Sequence, residues 1–128
     1  MSPKREHPDA AYVADLVERF GAFVPVTARR MFGGFGLFVD GAMFALVANG
    51  LVYLKVDEAN RPAFEALGLQ PWVYEAASRQ MTMSYYPPPD EALDDPALLR
   101  EWFEGARAAS RRAAAEKASR VAKRKPKG

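Results

Sequence analysis

The chain has no cysteine, so disulfides and thiolate metal sites are excluded, a usage that fits a reducing compartment and gives the expectation of a cytoplasmic protein. It has one histidine, His7, in a polar N-terminal segment where a solvated side chain is the plain expectation. With neither thiols nor a second imidazole, only carboxylates remain as metal ligands. The acidic run Asp90-Glu91-Ala92-Leu93-Asp94-Asp95 lacks the spacing of a calcium loop, and helix capping accounts for it. No apolar run approaches the roughly 18 residues of a membrane helix. No apolar segment follows the charged N-terminus, so no secretory signal is expected. Gly-x-Ser-x-Gly is absent, and Ser78, Ser84 and Ser110 have no histidine base in any motif. Nothing here calls for catalysis, a cofactor or a metal, and the expectation is a non-enzyme.

What the chain does have is apolar content and a split charge. Hydrophobic residues make up 49% of 128, enough for one modest core. Residues 1–110 carry 10 Lys/Arg and 15 Asp/Glu, a net of −5. Residues 111–128 carry 8 Lys/Arg against Glu116 alone, a net of +7. The expected division is therefore a mildly acidic domain over 1–110 and a basic, largely flexible tail over 111–128.

Residues 30–50 hold five glycines. Gly33-Gly34-Phe35-Gly36 matches neither the dinucleotide fingerprint nor a P-loop, and a strand follows where phosphate motifs need a helix. The glycines instead permit a tight entry or a bulge into a sheet. Asp40-Gly41 and Asn49-Gly50 are the pairs that two-residue hairpin turns favour, because both central positions take positive φ. Apolar runs of strand length flank both, which predicts a three-stranded meander closed by Leu51 to Val56. Uninterrupted pairing across the turns places Phe38, Met43, Ala45, Val47, Val52, Leu54 and Val56 on one face. Leu37, Val39, Phe44, Leu46, Leu51, Tyr53 and Lys55 fall on the other. Both faces are apolar, so the second is expected to be covered by a helix or by another subunit. On this register Leu37, Val39, Phe44, Leu46, Leu51 and Tyr53 are the candidate interface residues, for a protein partner or a homodimer.

Around the meander, Asp9 caps an amphipathic helix whose stripe is Val13, Leu16, Val17 and Phe20, with Gly21 as its stop. Asp57 to Gly68 reads as a short helix. Trp72–Glu75 and Met81–Tyr86 alternate as two further strands, and Pro87-Pro88-Pro89 ends the sheet. Asp95-Pro96 opens a last helix with Leu98, Leu99, Trp102, Phe103 and Ala106 on its buried stripe. The fold class is thus α+β, a two-layer α-β3-α-β2-α arrangement with an antiparallel meander and helices packed on it. Trp72, Tyr74, Tyr85 and Tyr86 suit packing better than base stacking, since only Arg79 lies near them in sequence. The tail offers Arg111, Arg112, Lys117, Arg120, Lys123, Arg124, Lys125 and Lys127 as candidate contacts to a phosphate backbone, the alternative being a solvated helix end. Val121 is its one bulky apolar residue, too little to hold a membrane surface.

Arg30-Met31-Phe32-Gly33-Gly34, the strand ending in Asp40-Gly41, Met43-Phe44-Ala45-Leu46, Leu51-Val52-Tyr53-Leu54-Lys55 and Thr82-Met83-Ser84-Tyr85-Tyr86 together resemble the N-terminal domain of the TfoX/Sxy family. The resemblance covers roughly residues 10–110. It implies the same two-layer α+β order, a bacterial cytoplasmic setting, a link to competence-gene regulation, and action with a cyclic-AMP receptor-type activator at promoters. It supplies no catalytic residue. Regulators of that family carry a second, helical C-terminal domain, where this sequence shows the basic tail. Two functions are therefore expected of the chain: a small regulatory protein-interaction module, or a nucleic-acid-binding accessory protein that uses its tail.

Overall fold

The computed structural model describes residues 7–31, 33–76 and 78–124. In chain order the elements are α1 (Ala10–Gly21), β1 (Thr27–Met31), β2 (Gly34–Val39), β3 (Ala42–Ala48), β4 (Leu51–Lys55), α2 (Arg61–Glu65), β5 (Val73–Ala76), β6 (Arg79–Thr82), β7 (Tyr85–Tyr86), α3 (Asp90–Asp94) and α4 (Pro96–Arg124). Five strands form one antiparallel sheet in the order β1-β2-β3-β4-β7, while β5 and β6 pair separately as a hairpin. The class is α+β, as the sequence implies.

The turn chemistry does what the residue pairs predict. Asp40 and Gly41 sit at φ 51 and 80, Asn49 and Gly50 at φ 52 and 77. Among the described residues Asp40 and Asn49 are the only non-glycines with positive φ, and both lie where such turns need it. At the start of α4, Asp95 Oδ1 accepts the backbone N–H groups of Ala97 and Leu98, at 3.0 and 3.3 Å. Asp9 behaves differently. Its carboxylate makes no cap bond, and its backbone N–H donates to His7 Nδ1 at 3.0 Å. The imidazole Nε2 lies 2.7 Å from the Gly33 carbonyl, and the ring packs edge-on against Phe35 at 5.0 Å. His7 thus ties the start of α1 to the turn before β2 instead of standing in solvent.

Three elements depart from expectation. Strand β1 is additional, an edge strand paired to β2 with Arg30↔Phe35 and Ala28↔Leu37. Thr-Ala-Arg-Arg-Met has no apolar alternation because the strand is exposed on both faces over its first four residues. The expected strand over Met81–Tyr86 splits: its first part pairs with β5, and Tyr85-Tyr86 joins β4 through Lys55↔Tyr85 and Leu54↔Tyr86. The chain also forms α3, a short helix just before α4.

All four helices lie on the same side of the sheet. Val13, Leu16 and Phe20 of α1, Phe64 of α2 and Leu99, Phe103 and Ala106 of α4 are buried there, with Leu93 of α3 packed against them. Phe103 is the centre of this layer, stacked on Phe20 at 5.4 Å and edge-on to Phe44 at 5.1 Å.

The register between β2 and β3 overturns the expected face assignment. Leu37 pairs with Ala45 but Phe38 pairs with Met43, so Phe44 is an extra residue, a β-bulge. A bulge lets two consecutive side chains point the same way, and both Phe44 and Ala45 enter the core. Every residue of β2, and of β3 up to Phe44, consequently changes face relative to uninterrupted pairing. Leu37, Val39 and Phe44 lie under the helices with Val47, Val52 and Leu54. Phe38 and Met43 lie on the opposite face with Leu46 and Tyr53. The hydroxyl of Ser110 in α4 donates to the Met43 carbonyl at 2.7 Å, supplying a partner where the ladder is interrupted.

Candidate interaction surfaces

The face of the sheet away from the helices is the first surface, here called the outer face. It carries Arg29 and Met31 of β1, Phe38 of β2, Met43 and Leu46 of β3, Leu51, Tyr53 and Lys55 of β4, and Tyr85 of β7, as alternation and the observed register require. No helix covers it. Leu46, Ala48, Trp72 and Tyr85 form a second apolar cluster here, with Met43, Tyr53, Tyr74 and Met83 packed around it. Trp72 links this cluster to the hairpin: its backbone N–H donates to the Tyr85 carbonyl at 2.8 Å and its carbonyl accepts from the Met83 backbone N–H at 2.9 Å. Its ring packs against Tyr74 at 5.4 Å and Tyr53 at 6.1 Å.

Cations lie among these rings. The Arg29 guanidinium sits 5.1 Å from the Phe38 ring, and the Lys55 ammonium 5.0 Å from the Tyr85 ring. Lys55 Nζ also donates to Ser84 Oγ at 2.7 Å. Burial lowers the Lys55 pKa, opposed by the nearby Asp57 carboxylate. Burial alone raises Tyr53 and pushes Tyr85 up to about 12. Tyr86 points the other way, into the helix side, against Phe64 at 5.5 Å.

Of the six interface candidates, the structure therefore separates two groups. Leu37, Val39 and Phe44 are buried beneath the helices, because the bulge turns them inward. Leu46, Leu51 and Tyr53 are on the outer face; Leu46 is 2% exposed, Tyr53 half-buried, and Leu51 55% exposed. Phe38 and Met43 belong with them because of the bulge, which leaves no mark in the sequence pattern, and Met31 joins them from the additional edge strand β1.

The second surface is the far half of α4. The helix runs unbroken from Pro96 to Arg124, about 43 Å at 1.5 Å per residue. Its burial ends at Ser110. From Arg111 to Lys123 every residue is exposed except half-buried Ala113. The helix continues through residue 111, and its burial ends there. Asp57 clasps the helix as it leaves the body, accepting from Arg112 Nε at 2.5 Å and from its Nη2 at 3.0 Å. The hydrogen bond from Arg112 holds the Asp57 carboxyl below the usual carboxylate range, against the opposing effect of burial. Arg111, Lys117, Arg120 and Lys123 are exposed, and Arg120 reaches Glu116 at 3.3 Å. Lys125 and Lys127 lie outside the described residues, as does the side chain of Arg124.

Among the described residues, no three His, Cys, Asp or Glu side chains cluster as a metal site. A groove of about 410 Å³ between α1 and the α3–α4 corner is lined by Arg19, Ala22, Phe23, Leu93 and Leu99, and another of about 290 Å³ by Asn60, Phe64, Leu98 and Trp102. Neither joins a nucleophile to a base. No helix of the described residues is long and apolar enough to cross a membrane.

Sequence comparison agrees with this architecture. The chain is 35% identical over 78 residues to the DNA transformation protein TfoX1 of Aliivibrio fischeri (strain ATCC 700601 / ES114), covering 58% of this chain and 37% of that one. It is also 35% identical over 57 residues to an uncharacterized 12.7 kDa protein in the trpE 5' region of Spirochaeta aurantia, 44% of this chain and 50% of that one. The chain thus spans half or less of each relative. The family model described as the TfoX N-terminal domain matches residues 18–110, from the last turn of α1 to Ser110, where the burial of α4 ends. The chain belongs to the TfoX N-terminal domain family.

Proposed function

We propose that the chain is a non-enzymatic regulatory module that acts by docking a protein on the outer face of its sheet. The observation that carries this is the helix-free outer face, where Met43, Tyr53 and the 55%-exposed Leu51 surround a small apolar cluster. Flexible thioethers and aromatic rings with polar tips are the side chains that adapt to a partner surface. Membership of the family, and the name of the Aliivibrio fischeri relative, support a role in the control of competence genes. The partner is a second copy of this chain or, as the family resemblance implies, a cyclic-AMP receptor-type activator.

Sedimentation of the full chain, alone and with a purified activator of that type, tests this. A dimer or a mixed complex is expected, weakened at least tenfold by Leu51→Glu with the melting temperature unchanged. A chain that stays monomeric and ignores the activator, or a complex indifferent to Leu51→Glu, overturns it.

A further inference from the structure

We infer that the projecting half of α4 is a phosphate-backbone contact for duplex DNA, a surface separate from the outer sheet face and independent of the proposal above. Residues 111–124 extend the helix about 20 Å beyond its last buried turn. Such a helix gains nothing from core packing, and isolated helices of this length are marginal in water. Lys117, Arg120 and Lys123 recur every third residue, so they share one face about 120° wide, and all three are exposed. Glu116 is the only acid in the segment; it lies on that face and pairs with Arg120 at 3.3 Å, an exposed i,i+4 contact of the weak kind that a phosphate displaces.

The geometry also separates these cations from the acidic body. Residues 1–110 carry a net −5, which repels a polyanion. A helix that stands off by about 20 Å puts its far cations roughly two Debye lengths from that charge at 0.1 M salt. Arg112 is withheld from the array, since Asp57 already takes two of its donors, and the buried first half of α4 sets the direction in which the helix leaves the body. A straight row of cations suits a stiff duplex. Single strands are bound through aromatic stacking, and the segment has no aromatic residue. A membrane surface needs apolar anchors, and Val121 is the only bulky one. Three to five neutralised phosphates give a log–log salt slope of about −2.7 to −4.5 and weak, sequence-indifferent binding.

The test is fluorescence anisotropy of a labelled 20-base-pair duplex of arbitrary sequence with the full chain, from low to physiological salt. The combined variant Lys117→Gln, Arg120→Gln, Lys123→Gln is expected to weaken binding at least tenfold at low salt and to flatten the slope by roughly 2 to 3. Its melting temperature and circular dichroism report the fold, and Lys117→Arg with Lys123→Arg is expected to bind like the native chain. Arg29→Gln with Arg30→Gln, on β1, is expected to leave the slope unchanged. Four results each overturn the inference: an unaltered slope in the triple glutamine variant, loss of binding in the β1 variant, tighter binding of a single strand of equal length, or binding to anionic phosphatidylserine vesicles with none to the duplex.

Discussion

Gly34 and Gly36 lie two residues apart on β2, yet alanine at each is expected to cost very different amounts. A Cβ on Gly34 would fall well inside van der Waals contact with the Val47 carbonyl oxygen, 3.1 Å from Val47 C and 3.4 Å from Ala48 Cα. These are backbone atoms of β3, and they move only if the two strands separate around Phe35↔Val47. Separation by about 1 Å forfeits one or two ladder hydrogen bonds, each worth about 1 kcal/mol net, and adds overpacking of about 1–3 kcal/mol. The entropy lost from the unfolded chain returns about 0.4–1 kcal/mol. The net for Gly34→Ala is about 2–4 kcal/mol, or roughly a 10 °C fall in Tm for a chain of this size.

At Gly36 the added methyl meets Met31 Sδ at 2.5 Å, Met43 Sδ at 3.0 Å and Phe38 Cε1 at 3.0 Å. Two of these three are thioethers, which swing aside at little cost. Gly36→Ala is expected to cost about 1 kcal/mol or less, under about 5 °C in Tm. Urea and thermal denaturation of both variants measure the difference. If Gly36→Ala proves as damaging as Gly34→Ala, or if Gly34→Ala costs less than about 1 kcal/mol, then backbone crowding is not what glycine relieves in this strand.

Ser110→Ala removes the donor to the Met43 carbonyl at the bulge and is expected to cost about 1–3 kcal/mol in urea denaturation; a loss below about 0.5 kcal/mol shows that the bulge does not depend on α4. The alkaline limb of stability carries a second signal. Unfolded tyrosine ionises near 10 while burial pushes Tyr85 up to about 12, so stability is complete below 10 and falls between the two values, by about 3 kcal/mol in all. Tyr85→Phe keeps the ring beneath Lys55 and is expected to flatten that fall; equal slopes between pH 10 and 12 refute the assignment.

How much of this was legible beforehand depends on the range of the forces involved. The hairpin turns were, because Asp-Gly and Asn-Gly fix positive φ locally. So were α1 and the first half of α4, whose stripes repeat at helical spacing. The bulge was not. It rests on two adjacent apolar residues, Phe44 and Ala45, both entering the core, and on a hydroxyl 67 residues away. A pattern of period two has no way to show one extra residue, and so Leu37, Val39 and Phe44 were assigned to the wrong face. His7 was misread for the same reason: its partner, the Gly33 carbonyl, is 26 residues distant. Strand β1 escaped notice because an edge exposed on both faces has no alternation to find.

The two proposed surfaces predict a further property that neither predicts alone. Phe103 and Ala106 of α4 pack against the face of the sheet that carries Phe44, Val47, Val52 and Leu54, whereas Met43, Leu51 and Tyr53 point to the opposite side. The sheet therefore separates the outer face from the packed half of α4, and Lys117, Arg120 and Lys123 lie farther along that helix, past its last buried turn. A protein seated on the outer face leaves those cations uncovered, and a duplex along the helix leaves Leu51 and Tyr53 uncovered. Duplex at saturation is expected to shift the dissociation constant of the protein complex by less than about threefold. Leu51→Glu should likewise leave the salt slope for DNA where it was. Mutual exclusion in a titration of labelled duplex against the protein complex would mean that one of the two occupants reaches around the sheet, and would place both on a single surface.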